Sequence, residues 1–255
     1  MSYQNRLYVW DDRFLYLTES IVSGLTQRHT VTLLVSLGEP GFRLGDERGG
    51  VAEYPAALVG NQTARSLDAS RAPLLSMNFD PQSYEYHCLA AMLGRQPVRP
   101  VIVTPGRIDA ATLRGARDGS LDPAGLFRLT TALPQALSGY RPIRMPMDMR
   151  VIHIAQKIKK ELPLTSTLEE LGAEVGLSAH RLRHLFSDKM GISIKSYTLW
   201  ARMRRAVELI ARHEPLSMVA HDVGFSDAAH LTRTLKQFFG LTPSFLARGM
   251  EVSML

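Results

Sequence analysis

Apolar positions along this chain follow two different periods. Through residue 80 they fall in short β-branched or aromatic runs of strand length. These are Leu7–Trp10, Arg13–Thr18, Thr30–Leu37 and Leu74–Phe79, punctuated by Gly38-Glu39-Pro40-Gly41 and Gly49-Gly50. Strands this dense, with no helical pattern between them, predict a small antiparallel barrel or sandwich. From Ser83 the period lengthens. Tyr86, Leu89, Ala90 and Leu93 would share one face of a helix over Ser83–Leu93. Val101–Thr104 is a last strand or an extended link. Two more helices are expected over 109–117 and 123–137, the second capped by Asp122 with Pro123 at its first position. Their stripe (Leu113, Leu126, Leu129, Leu133, Leu137) exceeds what one cover on a small barrel needs, so it predicts a homodimer; the plainer outcome is packing on the barrel. Pro142 and Pro146 cannot sit inside a helix. The chain therefore divides into a domain over 1–140, a linker over 141–149 and a domain over 150–255.

Beyond Arg150 every pattern is helical. Val151, Ile154, Ala155 and Ile158 form a stripe that Pro163 ends. A repeat follows. Glu174-Val175-Gly176-Leu177-Ser178 returns as Asp222-Val223-Gly224-Phe225-Ser226, each copy between two amphipathic runs. Helix, glycine-bearing turn, helix is the pattern of a helix-turn-helix. The turn needs a backbone that tolerates positive φ, which Gly176 and Gly224 supply. Ser178 and either Ser226 or Asp227 are natural N-caps for the second helix of each copy. Gly172 and Ala220 are the small residues where the two helices cross. Between the copies, Ser193 begins a long helix to about His213, with Ile194, Tyr197, Trp200, Met203, Val207 and Ile210 as its stripe. Such a rod is roughly 30 Å long at 1.5 Å per residue, near the roughly 34 Å pitch of B-DNA.

Charge supports that reading. The formal net charge is +6, and it is uneven: residues 1–149 carry 15 arginines, no lysine and 14 acids, whereas residues 150–255 carry 15 basic and 10 acidic side chains. The basic excess sits with the repeat, as phosphate binding requires. No apolar run approaches a membrane span, and the N-terminus lacks the apolar core of a signal peptide. The single cysteine, Cys88, excludes a disulfide framework and a multi-cysteine zinc site. A cytoplasmic protein with no metal and no cofactor is expected.

The second copy runs from Gly224-Phe225 through Leu231, Leu235 and Phe239-Gly240 to Thr242-Pro243, a Gly-Phe turn, an apolar recognition helix and a Gly-x-Thr-Pro stop. The first half carries Leu171, Ala173, Val175–Ser178, Leu182, Leu185, Phe186, Gly191, Ser193, Tyr197, Arg202 and Met203. On these residues, 150–248 resembles the DNA-binding domain of the AraC/XylS family of bacterial transcription regulators. The resemblance implies an α+β protein: an N-terminal cupin-like β-barrel with flanking helices, then an all-α domain with two helix-turn-helix units joined by a long helix. It implies a sequence-specific regulator, in the first instance an activator, and not an enzyme. Its partners would be double-stranded promoter DNA, RNA polymerase, a small-molecule effector bound in the first domain, and a second copy of itself.

The first recognition helix should bury Leu182, Leu185, Phe186 and Met190, leaving Ala179, His180, Arg183, His184 and Ser187 opposite. Arg183 can grip guanine O6 and N7 with two hydrogen bonds, and a histidine can donate to an acceptor edge. The family correspondence puts His180, Arg183 and His184 at base-contacting positions, with Arg181 and Lys189 at phosphate or solvent. The second recognition helix should bury Leu231, Leu235, Phe238 and Phe239, its first core leucine one residue later from the turn glycine. Its outer face is Ala228, Ala229, His230, Arg233 and Lys236. Two alanines offer only apolar contact, so this unit should discriminate less; Thr232 and Lys236 are phosphate candidates.

The first domain shows no effector motif. Asp12, His29, His87 and Cys88 lack metal-ligand spacing, and His29 is expected to be a hydrogen-bonded structural histidine. Arg28, Arg43, Arg65 and Arg71 could favour an anionic effector, although solvated arginines are the norm. A fused alkyltransferase would need acceptor and zinc-binding cysteines, and an amidotransferase-like domain would need an α/β pattern with a nucleophile after a strand. The alternative that stands is the same DNA-binding regulator controlled by a protein partner instead of a metabolite.

Overall fold

A computed structural model describes residues 5–103, 110–139 and 148–255 of the chain. The prolines at the expected linker lie outside the described residues. The strands are β1 (Asn5–Val9), β2 (Arg13–Thr18), β3 (Ile21–Thr26), β4 (Val31–Ser36), β5 (Phe42–Gly45), β6 (Val51–Tyr54), β7 (Ala56–Val59), β8 (Arg65–Ala69) and β9 (Leu74–Phe79). Helix α1 (Tyr84–Leu93), strand β10 (Val98–Pro100) and helices α2 (Ala110–Asp118) and α3 (Pro123–Ser138) follow. Then come α4 (Met149–Lys160), α5 (Leu168–Glu174), α6 (Ala179–Met190), α7 (Ile194–Ala211), α8 (Leu216–Asp222), α9 (Ala228–Phe239), α10 (Pro243–Arg248) and β11 (Met250–Met254). The fold is α+β, as expected.

Two sheets form in the first unit, ordered β10-β7-β4-β9-β2-β1-β11 and β3-β8-β5-β6. Strands β2, β4, β7 and β9 of the larger sheet are buried on both faces, and side-chain alternation divides their residues. One face (Leu15, Leu17, Leu33, Leu58, Leu75, Met77 and Phe79) packs under the helices, against Leu89 of α1 and Leu126, Leu129 and Leu133 of α3. The opposite face meets the smaller sheet, where Leu34, Ala57, Val59 and Leu74 pack with Phe42, Leu44, Leu67 and Ala69. Asp122 caps α3 as anticipated, and Ser83, expected inside its helix, caps α1; each accepts a backbone N–H of the helix it precedes.

The helix stripe expected to drive dimerisation is used inside the chain. Leu126, Leu129 and Leu133 are buried in the core under the sheet, and Leu113 and Leu137 pack against the same core. Helices α2 and α3 are the cover of the sheet, so this stripe gives no ground for a dimer.

The end of the chain also differs from expectation. Beyond Arg150 not everything is helical: β11 pairs in parallel with β1, Asn5 opposite Met250 through Val9 opposite Met254. The packing accordingly groups Lys236–Leu255 with the N-terminal strands and separates off the residues up to Leu235, whereas the pattern of the sequence ran one domain over 150–255. The reason is long-range pairing: β1 has an open edge that β11 fills.

The second unit is helical. Val151, Ile154, Ala155 and Ile158 of α4, Leu171 of α5, and Leu182, Phe186 and Met190 of α6 share one core with Tyr197 of α7. Every member of the α7 stripe is buried, Trp200 and Met203 completely.

Candidate functional site

Each helix-turn-helix is built by its turn. Gly176 and Gly224 have φ of +68° and +79°. A Cβ on Gly172 would lie 2.6 Å from the Leu177 carbonyl oxygen, so a glycine lets the first turn fold back against α5. In the second copy Ala220 is accommodated at the same place, 1% exposed. Ser178 caps α6 by accepting the Arg181 N–H. In the second copy the cap is Asp227, which accepts the His230 N–H at 2.7 Å. Helix α9 therefore starts one residue later from its turn glycine than α6 does, which accounts for the displaced core leucine.

On α6, Leu182, Phe186 and Met190 are fully buried, and His180, Arg181, Arg183 and His184 are exposed. The two histidine rings lie 4.4 Å apart with their Nε2 atoms 3.2 Å apart, so His180 and His184 share one patch. On α9, Leu231, Leu235, Phe238 and Phe239 are buried; Ala229, His230, Arg233 and Lys236 are exposed, and Ala228 and Thr232 are half-buried. Two of these side chains are already engaged. The Thr232 hydroxyl donates to the Ala228 carbonyl at 2.7 Å, so its one proton is spent within the helix. His230 is tied to the turn, its Nδ1 3.3 Å from Ser226 Oγ and its ring edge-on to Phe225 at 5.0 Å. Arg233 and Lys236 are the basic groups left facing outward. Between the two units α7 has 18 residues, about 27 Å of helix.

The family pattern described as a helix-turn-helix domain matches residues 171–249. Over 108 residues the chain is 33% identical to the arabinose operon regulatory protein of Escherichia coli, covering 42% of this chain and 37% of that protein. Residues 171–249 thus carry a helix-turn-helix domain similar to that of the AraC-type regulators. It spans under two-fifths of the length of the curated arabinose regulators it matches. A structural likeness extends further. ToxT from Vibrio cholerae superposes with a TM-score of 0.57 at 14% identity, over 93% of this chain and 98% of that one. A second ToxT structure, with an unsaturated fatty acid bound, gives 0.58 at 11% identity over 98% and 99%. At such identities the likeness establishes the fold, a sheet-rich N-terminal domain before the helical one.

The first domain shows no effector motif in the sequence, and its interior holds a buried polar cluster. Toward one end of the space between the sheets Thr30, Thr32, Ser76 and Asn78 are buried, with Arg28, and with Arg65 beside Thr26 in the smaller sheet. Arg28 donates to Asn78 Oδ1 at 2.8 Å and to the carbonyls of Phe238 and Phe239 at 3.2 Å. Arg65 has no partner on Nε, and Thr30 none on Oγ1. Burial lowers the pKa of Arg28 to about 10, and lowers that of Arg65 too, with the neighbouring Arg28 charge adding to it. The other two arginines are ordinary: Arg43 pairs with Asp68 at 2.7 Å and Arg71 is exposed. One signal for Arg65 was available, since Arg65, Leu67 and Ala69 alternate onto one face of β8.

The other residues singled out in this domain have structural tasks. His29 is not hydrogen-bonded through Nδ1 as expected; its ring stands edge-on to Phe238 at 4.8 Å, and burial lowers its pKa to about 4. Asp12 pairs with Arg13, His87 Nε2 lies 2.8 Å from the Pro81 carbonyl, and Cys88 is buried on α1. Among the described residues no three His, Cys, Asp or Glu side chains could hold a metal, and no helix is long and apolar enough to cross a membrane.

Proposed function

We propose that the chain is a sequence-specific regulator of transcription, an activator, that binds double-stranded promoter DNA through both helix-turn-helix units and answers to a small effector in its N-terminal barrel. The observation that carries this reading is the pair of glycine-turn units on one rod, α7, each presenting an outward basic helix. Arg183, with His180 and His184, reads base edges; Arg181, Arg233 and Lys236 grip phosphates; Ala228 and Ala229 offer apolar contact to thymine methyls. Thr232 and His230 contribute only if they give up their present bonds. RNA polymerase is the partner an activator of this kind must reach, and the cytoplasm is where it would meet both. A homodimer, if formed, uses a surface other than the stripe of α2 and α3. The bound fatty acid of ToxT supports small-molecule sensing, as does the polar, incompletely satisfied interior between the two sheets.

The test is DNA binding by the full chain to the duplex it selects from a random pool. Lys236→Ala should weaken selected and random DNA alike and reduce the slope of log affinity against log salt by about one. A chain that selects no sequence from the pool contradicts the reading.

A further inference from the structure

Burying a charge is costly unless it is paired. The barrel itself shows the ordinary solution at Arg13, whose guanidinium meets Asp12 and Glu85 at 2.8 Å. Arg28 and Arg65 lack that solution. Both are buried and their segments run side by side, Thr26 pairing with Arg65 and the Gln62 N–H donating to the Arg28 carbonyl at 2.6 Å; neither is paired with a carboxylate among the described residues. Of the five N–H donors of Arg28, three serve Asn78, Phe238 and Phe239, which leaves two. Arg65 offers its Nε, and Thr30 a hydroxyl. A cleft of about 800 Å³ opens onto Arg65 between the β5–β6 hairpin and the wall formed by the segment before β8 and the start of β10. Its walls include Leu44, Tyr54 and Val98; Asp46, also on its wall, is occupied in the hairpin turn, accepting the N–H groups of Arg48 and Gly50.

We propose that this cleft is the site for a small organic carboxylate whose head group is gripped by Arg65, with the buried charge of Arg28 adding to the pull and the ligand's apolar body along Leu44, Tyr54 and Val98. The proposal rests on the effector-sensing reading above and gives it a ligand class. A guanidinium fork matches a planar carboxylate with two parallel hydrogen bonds. An anion here supplies the charge that the two arginines lack. The apolar wall beyond Arg65 selects an organic acid over an inorganic oxyanion, which has nothing to place there.

Thermal melts of the whole 255-residue chain test this, with octanoate as the probe, 1-octanol as its uncharged counterpart and inorganic phosphate as the bare oxyanion. Near saturation octanoate should raise the wild-type Tm by about 3 °C or more. Octanol and phosphate should not. Arg65→Leu should abolish the rise while melting, without ligand, at or above wild type, since it removes an unpaired buried charge. If octanol matches octanoate, or Arg65→Leu keeps the octanoate rise, the carboxylate assignment is overturned and effector sensing stands. An Arg65-dependent rise with phosphate overturns the organic ligand. Silence from all three probes overturns the proposal, and effector sensing falls with it only if a broad metabolite screen is silent too.

Discussion

The two helix-turn-helix units share a turn and differ in how they are held. The first is self-contained. Thr167 and Glu170 satisfy each other's backbone at the start of α5, Ser178 caps α6, and Glu174 at the turn is held by His153 and Lys157 of α4. The second begins at Pro215 with no side-chain cap on α8. The last carbonyls of α9 accept from Arg28, and Gly240 beyond them lies so near β3 that a Cβ there would meet Ser23 Cβ at 2.8 Å. The exposed residues differ in parallel: an arginine between two histidines on α6, two alanines on α9. On the proposed assignment the unit that reads bases is locally stabilised, whereas the last residues of α9 pack with the N-terminal strands. Under the proposed function that is a division between reading and control.

Core truncation gives the largest effect with which to break this comparison. Leu182→Ala should cost about 2–5 kcal/mol by leaving a cavity and abolish DNA binding by unfolding the first unit; a melt that stays at the wild-type temperature would show α6 seated differently. Next is Gly172→Ala. Its Cβ would stand 2.6 Å from a backbone oxygen that cannot move cheaply, so about 1–3 kcal/mol should be lost in denaturant unfolding. The reverse change at the equivalent place, Ala220→Gly, should cost only about 1 kcal/mol through helix propensity. Equal losses would mean that the two turns are not different after all.

The caps separate the units more finely. Ser178→Ala should cost about 1 kcal/mol at any pH. Asp227 titrates, because the His230 N–H and then the Ser226 hydroxyl hold its carboxyl below the usual range. A depressed folded pKa means that the stabilisation is present above the unfolded value, about 3.9, and is lost as pH falls through the lower folded one. Melts of wild type and Asp227→Ser from pH 6 to 2.5 should therefore converge at the acid end. A constant difference would remove the charge from the cap.

The helical part of the chain was easy to foresee from the sequence because its signals are local. Gly176 and Gly224 mark the turns, Ser178 and Ser193 the caps, and the period of Ile194, Tyr197 and Trp200 marks α7. Strands β2 and β9 were equally plain, being continuous apolar runs. Short or polar strands were not: Ile21–Thr26 is interrupted by Gly24, and Arg65–Ala69 alternates Arg, Ser, Leu, Asp and Ala, which reads as a loop until its partners are known. β11 had no local signal at all, because its pairing partner β1 lies at the other end of the chain. The outward face of α6 was legible from helical spacing alone. The engagement of Thr232 and His230 was not, since it depends on rotamers. Arg28 could be named only as one arginine among four, because its partners Phe238 and Phe239 lie more than two hundred residues away.

The measurement that bears most directly on the division between reading and control is the base-preference profile of the full chain on a randomised duplex pool, wild type against Arg183→Ala and Arg233→Ala. Arg183→Ala should cost about 1–3 kcal/mol on the selected site and flatten the preference at one base pair. Arg233→Ala should lower affinity across the pool and leave the profile unchanged. A profile that survives Arg183→Ala but changes with Arg233→Ala would contradict the account and make α9 the reader.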